Sequence, residues 1–334
     1  MGNWKQKSKQ GFKTRKEAKP VAEKMFKELE ASVKNNINLD GSKQTFKEVT
    51  KMYLEHCSLY KEYNTVKGAK DCFSKFSCLN SIKIKDINKI DIQGAVDKIV
   101  KENLKQSTVG TYVIRLNTFF KYIKEDLNLI ADLPTRGIKI PKEKSETDKR
   151  ALTKKELDKL LNNLKNNKFY IVAFIAANTG IRLGEILGLT WNDLDEINLT
   201  LDVNKQWKIS KKTKKVDFGD LKSKNSYRLV PISTSTLKEL KNYKKNNPTD
   251  LKNRITPFNV ASISKYLNPR LRELARISIH ELRHTYATLL ISNGIDFKTA
   301  AKLLGHGVEQ TLKTYSHVTD DMLKSASKKI EHIF

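Results

Sequence analysis

Residues 279–318 read IHELRHTYATLLISNGIDFKTAAKLLGHGVEQTLKTYSHV, and the rest of the chain is interpreted around this stretch. Its chemically active side chains are, in chain order, His280, Arg283, His284, His306 and Tyr315. The first three lie three and four positions apart, so a helix places them on one face. Asn293-Gly294 is a typical end of that helix. His306 stands between two glycines, where the backbone can approach a ligand closely, and Tyr315 follows nine positions later.

The five residues from His280 to His284 also match the zinc-protease pattern H-E-x-x-H. That chemistry needs two histidine ligands, a glutamate base and a third ligand further along the chain. Nothing downstream matches the extended pattern H-E-x-x-H-x-x-G-x-x-H, and an arginine between the ligands does not help to bind a cation. A zinc protease is therefore a remote alternative, which EDTA sensitivity and a zinc assay would separate from the other interpretations.

The composition favours a polyanionic partner. The 334 residues carry 64 Lys and Arg against 37 Asp and Glu, a formal net charge of +27, which attracts DNA, RNA or an acidic membrane. No apolar run reaches the roughly 18 residues of a membrane span, and the basic N-terminus lacks the apolar segment of a secretion signal. The three cysteines, Cys57, Cys72 and Cys78, form no C-x-x-C pair and are typical of a reduced cytosolic protein.

The length predicts two or three domains. Residues 1–40 predict one strand and one helix, with Thr14 and Glu17 as a capping box, which is too little for a core. Residues 44–135 predict a small helical bundle with basic faces. The first of its four helices begins near Phe46. The other three span Val66–Phe76, Asp91–Val100 and Ser107–Leu127, and Ser107 is the expected N-cap of the last. Residues 136–150 are densely charged and predict a linker.

Residues 151–334 predict a second domain that mixes helices with strands. The predicted features are a helix capped by Thr153 with Glu156, the helix Phe169–Asn178, a helix starting at Arg182, a small sheet within 197–232, and helices at Ser235–Tyr243 and Val260–Leu274. Lys222 is placed at the mouth of a hairpin in this sheet. The expected fold class is mainly α with a small β-sheet, a helical domain followed by an α+β domain.

Six side chains of the second domain form a set for phosphoryl transfer: Arg182, Lys222, His280, Arg283, His306 and Tyr315. Two arginines can grip phosphate oxygens with planar, bidentate geometry. A tyrosine hydroxyl can accept the phosphoryl group covalently, histidines can take its proton or hydrogen-bond the developing charge, and a lysine can protonate the departing alkoxide. Such a set suits phosphodiester transesterification without a metal, a cofactor or ATP, because the covalent intermediate keeps the bond energy.

At these residues the sequence resembles the tyrosine recombinases, and within them the integrases of Gram-positive phages and conjugative elements. The matching segments are NTGIRLGEILGLTW (178–191), LKSKNSYRLVPI (221–232), ISIHELRHTYATLL (277–290) and LLGH-x8-Y, which ends at Tyr315. The resemblance is most specific over residues 150–325. It implies a site-specific DNA recombinase, in which residues 151–334 form an α+β catalytic domain that ends in a C-terminal tail.

The rest of the chain resembles the family less closely. Residues 44–135 are similar to its core-binding domain. GFKTRKEA at 11–18 is similar to the end of its arm-binding domain, so residues 1–40 are interpreted as the remnant of such a domain, without its earlier strands.

The resemblance also implies roles for the six side chains. Tyr315 attacks the scissile phosphate and forms a 3′-phosphotyrosyl bond. Arg182 and Arg283 bind the phosphate and stabilise the transition state, and His280 and His306 assist by hydrogen bonding and proton transfer.

The resemblance implies Lys222 as the general acid toward the 5′ oxygen. Lys224 is the alternative, because both lysines lie in one basic turn. His284 is expected to pack internally, and Glu185 to support an arginine rather than to act as a base.

Three functions are compatible with these residues: a site-specific recombinase, a type IB topoisomerase-like enzyme that relaxes DNA, and a DNA-binding protein without catalysis. The complete set of six argues against the third. The resemblance further implies double-stranded DNA carrying attachment sites as the partner, a homotetramer on that DNA, an excisionase or a host DNA-bending protein as accessory factor, and no membrane partner. The expected location is the bacterial cytoplasm, in association with the nucleoid.

Overall fold

The computed structural model describes residues 19–21, 23, 43–102, 104–141, 151–210 and 213–315, with only the backbone of residues 314 and 315. The chain divides into two compact units, Met1–Ser145 and Glu146–Phe334, whose described parts we call the helical unit and the C-terminal unit. Residues 19–21 and 23 are helical, but the rest of the strand and helix predicted for residues 1–40 lies outside the described residues, as does the tail after Tyr315. No helix among the described residues is long and apolar enough to cross a membrane.

The helical unit contains the four helices that the sequence predicts. They are α1 (Phe46–Tyr60), α2 (Tyr63–Lys75), α3 (Lys89–Lys101) and α4 (Gln106–Glu125), with a short 3₁₀ turn at Ser77–Leu79. Thr45 and Asn88 begin α1 and α3 with capping boxes. The apolar faces enclose an aromatic core, in which the rings of Phe46 and Phe119 meet edge to face with centroids 5.5 Å apart.

Two boundaries in this unit differ from the predictions. Ser107 is not the N-cap of α4, because the carbonyl of Lys105 already accepts the N–H groups of Thr108 and Val109, so the helix opens at Gln106. The predicted linker also begins later than residue 136. The amide of Gln93 both donates to the Lys139 carbonyl (3.0 Å) and accepts from its N–H (2.9 Å), which fastens this segment to α3.

The C-terminal unit contains nine helices among its described residues. They are α5 (Lys154–Leu164), α6 (Tyr170–Thr179), α7 (Leu183–Ile186), α8 (Thr234–Asn246), α9 (Val260–Ser262), α10 (Asn268–Ala275), α11 (Ile279–Ser292), α12 (Phe297–Leu304) and α13 (Val308–Tyr315). Short 3₁₀ turns lie at Trp191–Asp193 and Lys224–Ser226. The predicted capping box of Thr153 and Glu156 is present at the start of α5.

The helix predicted over Val260–Leu274 is interrupted. A π-helical turn at Ile263–Leu267 separates α9 from α10. Pro269 has no N–H to donate to the carbonyl four residues earlier, so a regular α-helical ladder cannot run through it. The predicted single helix is therefore three consecutive pieces.

The strands form two small antiparallel sheets rather than one. β1 (Leu194–Asp195), β2 (Thr200–Val203) and β5 (Arg228–Pro231) make a sheet of order β1-β2-β5. Among the described residues, β3 (Gln206–Ile209) pairs with β4 (Val216–Gly219) alone. Lys222 therefore lies on the connection that carries the chain from one sheet to the other, and the prediction that placed it at the mouth of a hairpin is wrong.

Helix α6 is the centre of the C-terminal unit. It is apolar on all sides, and seven of its ten residues are buried, as expected for a helix surrounded by others. It ends at Gly180, which has φ +62°, and a Cβ there would collide with the ring of Tyr286 on α11. Because α11 packs directly against α6, the side chains of α11 are held at a fixed depth relative to the turn that follows α6.

Candidate active site

Five of the six predicted side chains meet in one cleft of the C-terminal unit. Arg182, Lys222, His280, Arg283 and His306 line this cleft, whose volume is about 530 Å³. They are contributed by the start of α7, the connection before β5, helix α11 and the turn between α12 and α13. The fold therefore brings together residues that lie more than a hundred positions apart in the sequence.

Arg283 is held by the ends of two helices. Its side chain is buried, and its guanidinium donates to the carbonyls of Gly180 and Leu304, at the C-terminal ends of α6 and α12. Those ends carry the negative pole of the helix dipoles, which favours a cation. The guanidinium also lies 2.9 Å from Nε2 of His306. These three contacts fix the position and orientation of this planar group.

Arg182 is more exposed and is held by the partner that the sequence suggests. Its Nη1 contacts Glu185 Oε1 at 2.9 Å, and its Nη2 donates to the carbonyl of Gly305 at 2.8 Å. Glu185 is buried, and it also accepts the backbone N–H of Arg182 at 3.1 Å, which closes the start of α7. The two arginines therefore contact the same turn, residues 304–306.

His306 is a neutral imidazole in this environment. Burial, followed by the positive charges of Arg283, Arg182 and Arg228, lowers its pKa to about 3. Its Nε2 faces an N–H group of Arg283 and must accept that hydrogen bond, so the ring proton is on Nδ1. His306 is consequently an acceptor toward Arg283, and its buried Nδ1 has no hydrogen-bond partner among the described residues.

The low pKa of His306 predicts a pH-dependent stability. An unfolded histidine has a pKa near 6.5, so between roughly pH 6.5 and 3 the unfolded chain binds up to one proton more at this site than the folded chain. The free energy of unfolding should therefore fall as the pH decreases through this window. In urea titrations followed by the fluorescence of Trp191 and Trp207, both buried in this unit, His306→Gln should reduce that fall. Equal pH slopes for the two proteins would contradict the assignment.

The geometry distinguishes between the two candidate lysines. Lys222 is exposed and contributes to the wall of the cleft, whereas Lys224 is not among the lining residues and begins the 3₁₀ turn Lys224–Ser226. The amide of Gln206 donates to the carbonyl of Asp220 at 2.7 Å and steadies the chain just before Lys222. Of these two lysines, Lys222 is the one that lines the cleft in the described structure.

His280, His284 and Glu281 do not form a zinc site in the described part of the chain. The rings of His280 and His284 meet edge to face, with centroids 4.9 Å apart. The carboxylate of Glu281 accepts from the backbone N–H and the hydroxyl of Ser278, so it caps α11 instead of facing an open ligand position. No group of three or more possible metal ligands occurs among the described residues. His284 is buried as expected, although it also borders the cleft.

Tyr315 is the last residue of α13, a helix that begins two residues after His306. Thr311 on this helix is buried, and its N–H donates to the carbonyl of Gly307 at 3.1 Å, which forms the first turn of the helix. The side chain of Tyr315 lies outside the described part of the structure.

Arg228 is a buried part of this region that sequence reasoning missed. Its guanidinium lies 2.9 Å from Glu185 Oε2, so Glu185 joins it to Arg182. Burial lowers its pKa, while the charge of Glu185 acts in the opposite direction. A signal was present in the sequence, because alternate residues of a strand share a face and Arg228 precedes Val230 by two. A residue in register with a core valine is itself expected to be buried.

Three segments of the chain match models of known protein families. The phage integrase family matches residues 150–322, and a phage integrase N-terminal SAM-like domain and an arm DNA-binding domain match residues 45–100 and 1–29. The chain belongs to the phage integrase family. It is a tyrosine recombinase, an enzyme of site-specific DNA recombination, so the family, the fold class and the function predicted from the sequence are confirmed.

Two relatives cover nearly the whole chain. A tyrosine recombinase XerC-like protein of Caldanaerobacter subterraneus subsp. tengcongensis is 28% identical, over 96% of this chain and 90% of the relative. The ICEBs1 integrase of Bacillus subtilis is 26% identical, over 94% of this chain and 92% of the relative.

Solved structures share the fold. The Tn1549 transposon integrase in complex with a circular intermediate DNA superposes with a TM-score of 0.73 at 18% identity, covering 86% of this chain and 99% of that one. A lambda integrase tetramer bound to a Holliday junction gives a TM-score of 0.59 at 18% identity, covering 88% of each chain.

Proposed function

We propose that the cleft binds the scissile phosphate of a DNA strand and that Tyr315 attacks it. The observation that carries this proposal is the convergence of two arginines, a lysine and two histidines on one cleft, next to the helix that ends at Tyr315. Guanidinium groups match the oxygens of a phosphodiester bidentately, and here they are fixed in advance by backbone carbonyls. Such preorganised charge stabilises the transition state of phosphoryl transfer.

The proposed step exchanges one ester for another. The phenolic oxygen of Tyr315 forms a bond to phosphorus, and the bond from phosphorus to the 5′ oxygen breaks. The phenolic proton passes to a histidine of the cleft, and the Lys222 ammonium gives a proton to the departing 5′ oxygen. The product is a 3′-phosphotyrosyl bond, which a free 5′ hydroxyl of another strand can attack in the reverse reaction without ATP.

We propose duplex DNA with attachment sites as the substrate and a homotetramer as the active assembly. The charge of +27 and the match of residues 1–29 to an arm DNA-binding domain support contacts with DNA beyond the cleft. The Tn1549 transposon integrase was solved with a circular intermediate DNA, and lambda integrase was solved as a tetramer on a Holliday junction. An excisionase or a host DNA-bending protein is the proposed accessory factor, and the nucleoid the proposed place of action.

A substrate with sulfur in the 5′ bridging position tests the role of Lys222. A thiolate leaves without a proton, so the loss caused by removing a general acid should disappear on this DNA. On ordinary DNA, Lys222→Ala should slow cleavage on the order of 100- to 10,000-fold, the usual contribution of a general acid. On the sulfur substrate it should cleave at nearly the rate of the unchanged protein.

Lys224→Ala is the matched control, because it removes a second lysine of the same turn that lies off the cleft wall. It should cleave both substrates at nearly the normal rate. Rescue of Lys224→Ala without rescue of Lys222→Ala would transfer the role to Lys224, and rescue of neither variant would contradict a lysine general acid in this turn.

A further inference from the structure

Arg228 lies behind the cleft and does not line it. It is the first residue of β5, and its side chain is only 3% exposed, against 35% for Arg182. A charge this deep is costly unless hydrogen bonds compensate for the lost water. The burial of Arg228 is therefore explained by the segments to which its guanidinium is hydrogen-bonded.

The guanidinium of Arg228 joins three segments of the active-site region. Its Nε donates to the carbonyl of Leu303 at 2.7 Å, near the end of α12 and just before His306. Its Nη1 donates to the carbonyl of Ser226 at 2.8 Å, in the 3₁₀ turn that follows Lys222. Its Nη2 contacts the carboxylate of Glu185 at 2.9 Å, the group that also holds Arg182. One planar side chain thus links the lysine segment, the histidine segment and α7.

Close packing at Gly305 shows how tightly these segments fit. A Cβ on Gly305 would lie 2.9 Å from Nη1 of Arg228 and 3.1 Å from the carbonyl oxygen of Asn225. Real side chains almost never approach this closely, and Gly305 also has φ +65°, which favours glycine. The turn that carries His306 is therefore pressed directly against Arg228 and the lysine segment.

The two phosphate-binding arginines have fixed contacts of their own. Arg283 is tied to the carbonyls of Gly180 and Leu304, and Arg182 to that of Gly305. The segment of Lys222 is tied at one end through Gln206 to Asp220, and at the other end through Arg228 to Ser226. Loss of the three Arg228 hydrogen bonds should thus affect the position of Lys222 more than the binding of phosphate.

We propose that Arg228 is a positioning residue that fixes the Lys222 segment against the His306 turn and Glu185, so that the lysine is aligned with the departing 5′ oxygen. This proposal rests on the proposed role of Lys222 as general acid. It assigns Arg228 no contact with DNA.

The test is the variant Arg228→Lys, which keeps the charge but cannot make three hydrogen bonds in the directions of a guanidinium fork. Cleavage of ordinary attachment-site DNA should fall on the order of 100-fold, as expected when a catalytic group is misplaced by about 1 Å. Binding of that DNA should be unchanged. On the 5′ bridging sulfur substrate, the rate of Arg228→Lys should return to within about tenfold of the unchanged protein on the same DNA.

Arg254→Lys is the matched control. Arg254 is a buried arginine of the same unit, bonded to Asp250 and to the carbonyl of Phe258, and it does not line the cleft. A purely structural loss, as in this control, should lower cleavage of the ordinary and sulfur substrates by the same factor. Arg228→Gln provides a second variant if Arg228→Lys does not fold, and it should show the same rescue by sulfur.

The effects of Arg228→Lys and Lys222→Ala on the cleavage rate should also be non-additive. In a Lys222→Ala background, Arg228→Lys should cause little further loss on ordinary DNA, because there is no lysine left to position. If Lys222→Ala is rescued by sulfur and neither variant of Arg228 is, the positioning role of Arg228 is wrong while that of Lys222 stands. If none of these variants is rescued, both assignments are wrong.

Discussion

Tyr315→Phe is expected to abolish every covalent adduct between the protein and DNA. Phenylalanine lacks the hydroxyl oxygen that forms the phosphotyrosyl bond, so no rate remains for this step. Binding of attachment-site DNA should persist, because the phosphate contacts are assigned to Arg182 and Arg283. Denaturing gels of protein incubated with labelled DNA would measure the adduct, and gel shifts would measure binding.

Two exposed tyrosines of the same unit serve as controls for Tyr315→Phe. Tyr227 and Tyr266 are 47% and 54% exposed, so Phe at either position should leave the fold intact. Both variants should form the adduct at the normal rate. An adduct that survives in Tyr315→Phe but disappears in one of these variants would move the nucleophile to that tyrosine.

Replacement of Arg283 should produce the second largest loss. An arginine that stabilises phosphoryl transfer contributes on the order of 1,000- to 100,000-fold to the rate, and Arg283→Ala should lose a factor in this range. The 5′ bridging sulfur should not rescue it, since a better leaving group does not replace the charge that stabilises the phosphorus centre. Cleavage time courses on both substrates measure this difference.

Stability has to be followed in the same experiment. Arg283 is buried and satisfies the carbonyls of Gly180 and Leu304, so alanine also leaves two buried acceptors without this donor. Arg283→Lys retains a charge and is therefore the milder variant, yet it loses the planar fork and should still cleave far more slowly than the unchanged protein. Normal cleavage by folded Arg283→Lys would argue against bidentate phosphate binding by this residue.

Sequence signals were sufficient for most of the secondary structure and indicated five of the side chains that line the cleft. The spacing of His280 and Arg283 on one helix face, and the glycines around His306, reflect constraints that act within a few residues, and the structure places these three side chains in one cleft. The cap at Thr153 is equally local. Such features depend on the chain nearby and can be recognised without knowledge of the tertiary fold.

The errors at Lys222 and Arg228 concern features that depend on distant partners. Lys222 was assigned to a hairpin because the pairing of β3 with β4, and of β5 with β2, is decided by contacts between separate segments. Arg228 was missed because two of its three partners, Glu185 and Leu303, lie 43 and 75 positions away in the chain. A pattern along one strand can indicate that Arg228 is buried, but the identity of its partners requires the fold.

The central claim, that Tyr315 becomes joined to the 3′ phosphate of the cleaved strand, is tested most directly by isolating the covalent complex. Trypsin digestion of the adduct, followed by mass spectrometry of the nucleotide-bearing peptide, would identify the linked residue, and the other strand end would show which hydroxyl is free. We expect the nucleotide on Tyr315, within the peptide that follows Lys313, and a free 5′ hydroxyl on the released strand. A nucleotide on any other residue, or a 5′ phosphate joined to the protein, would contradict the account.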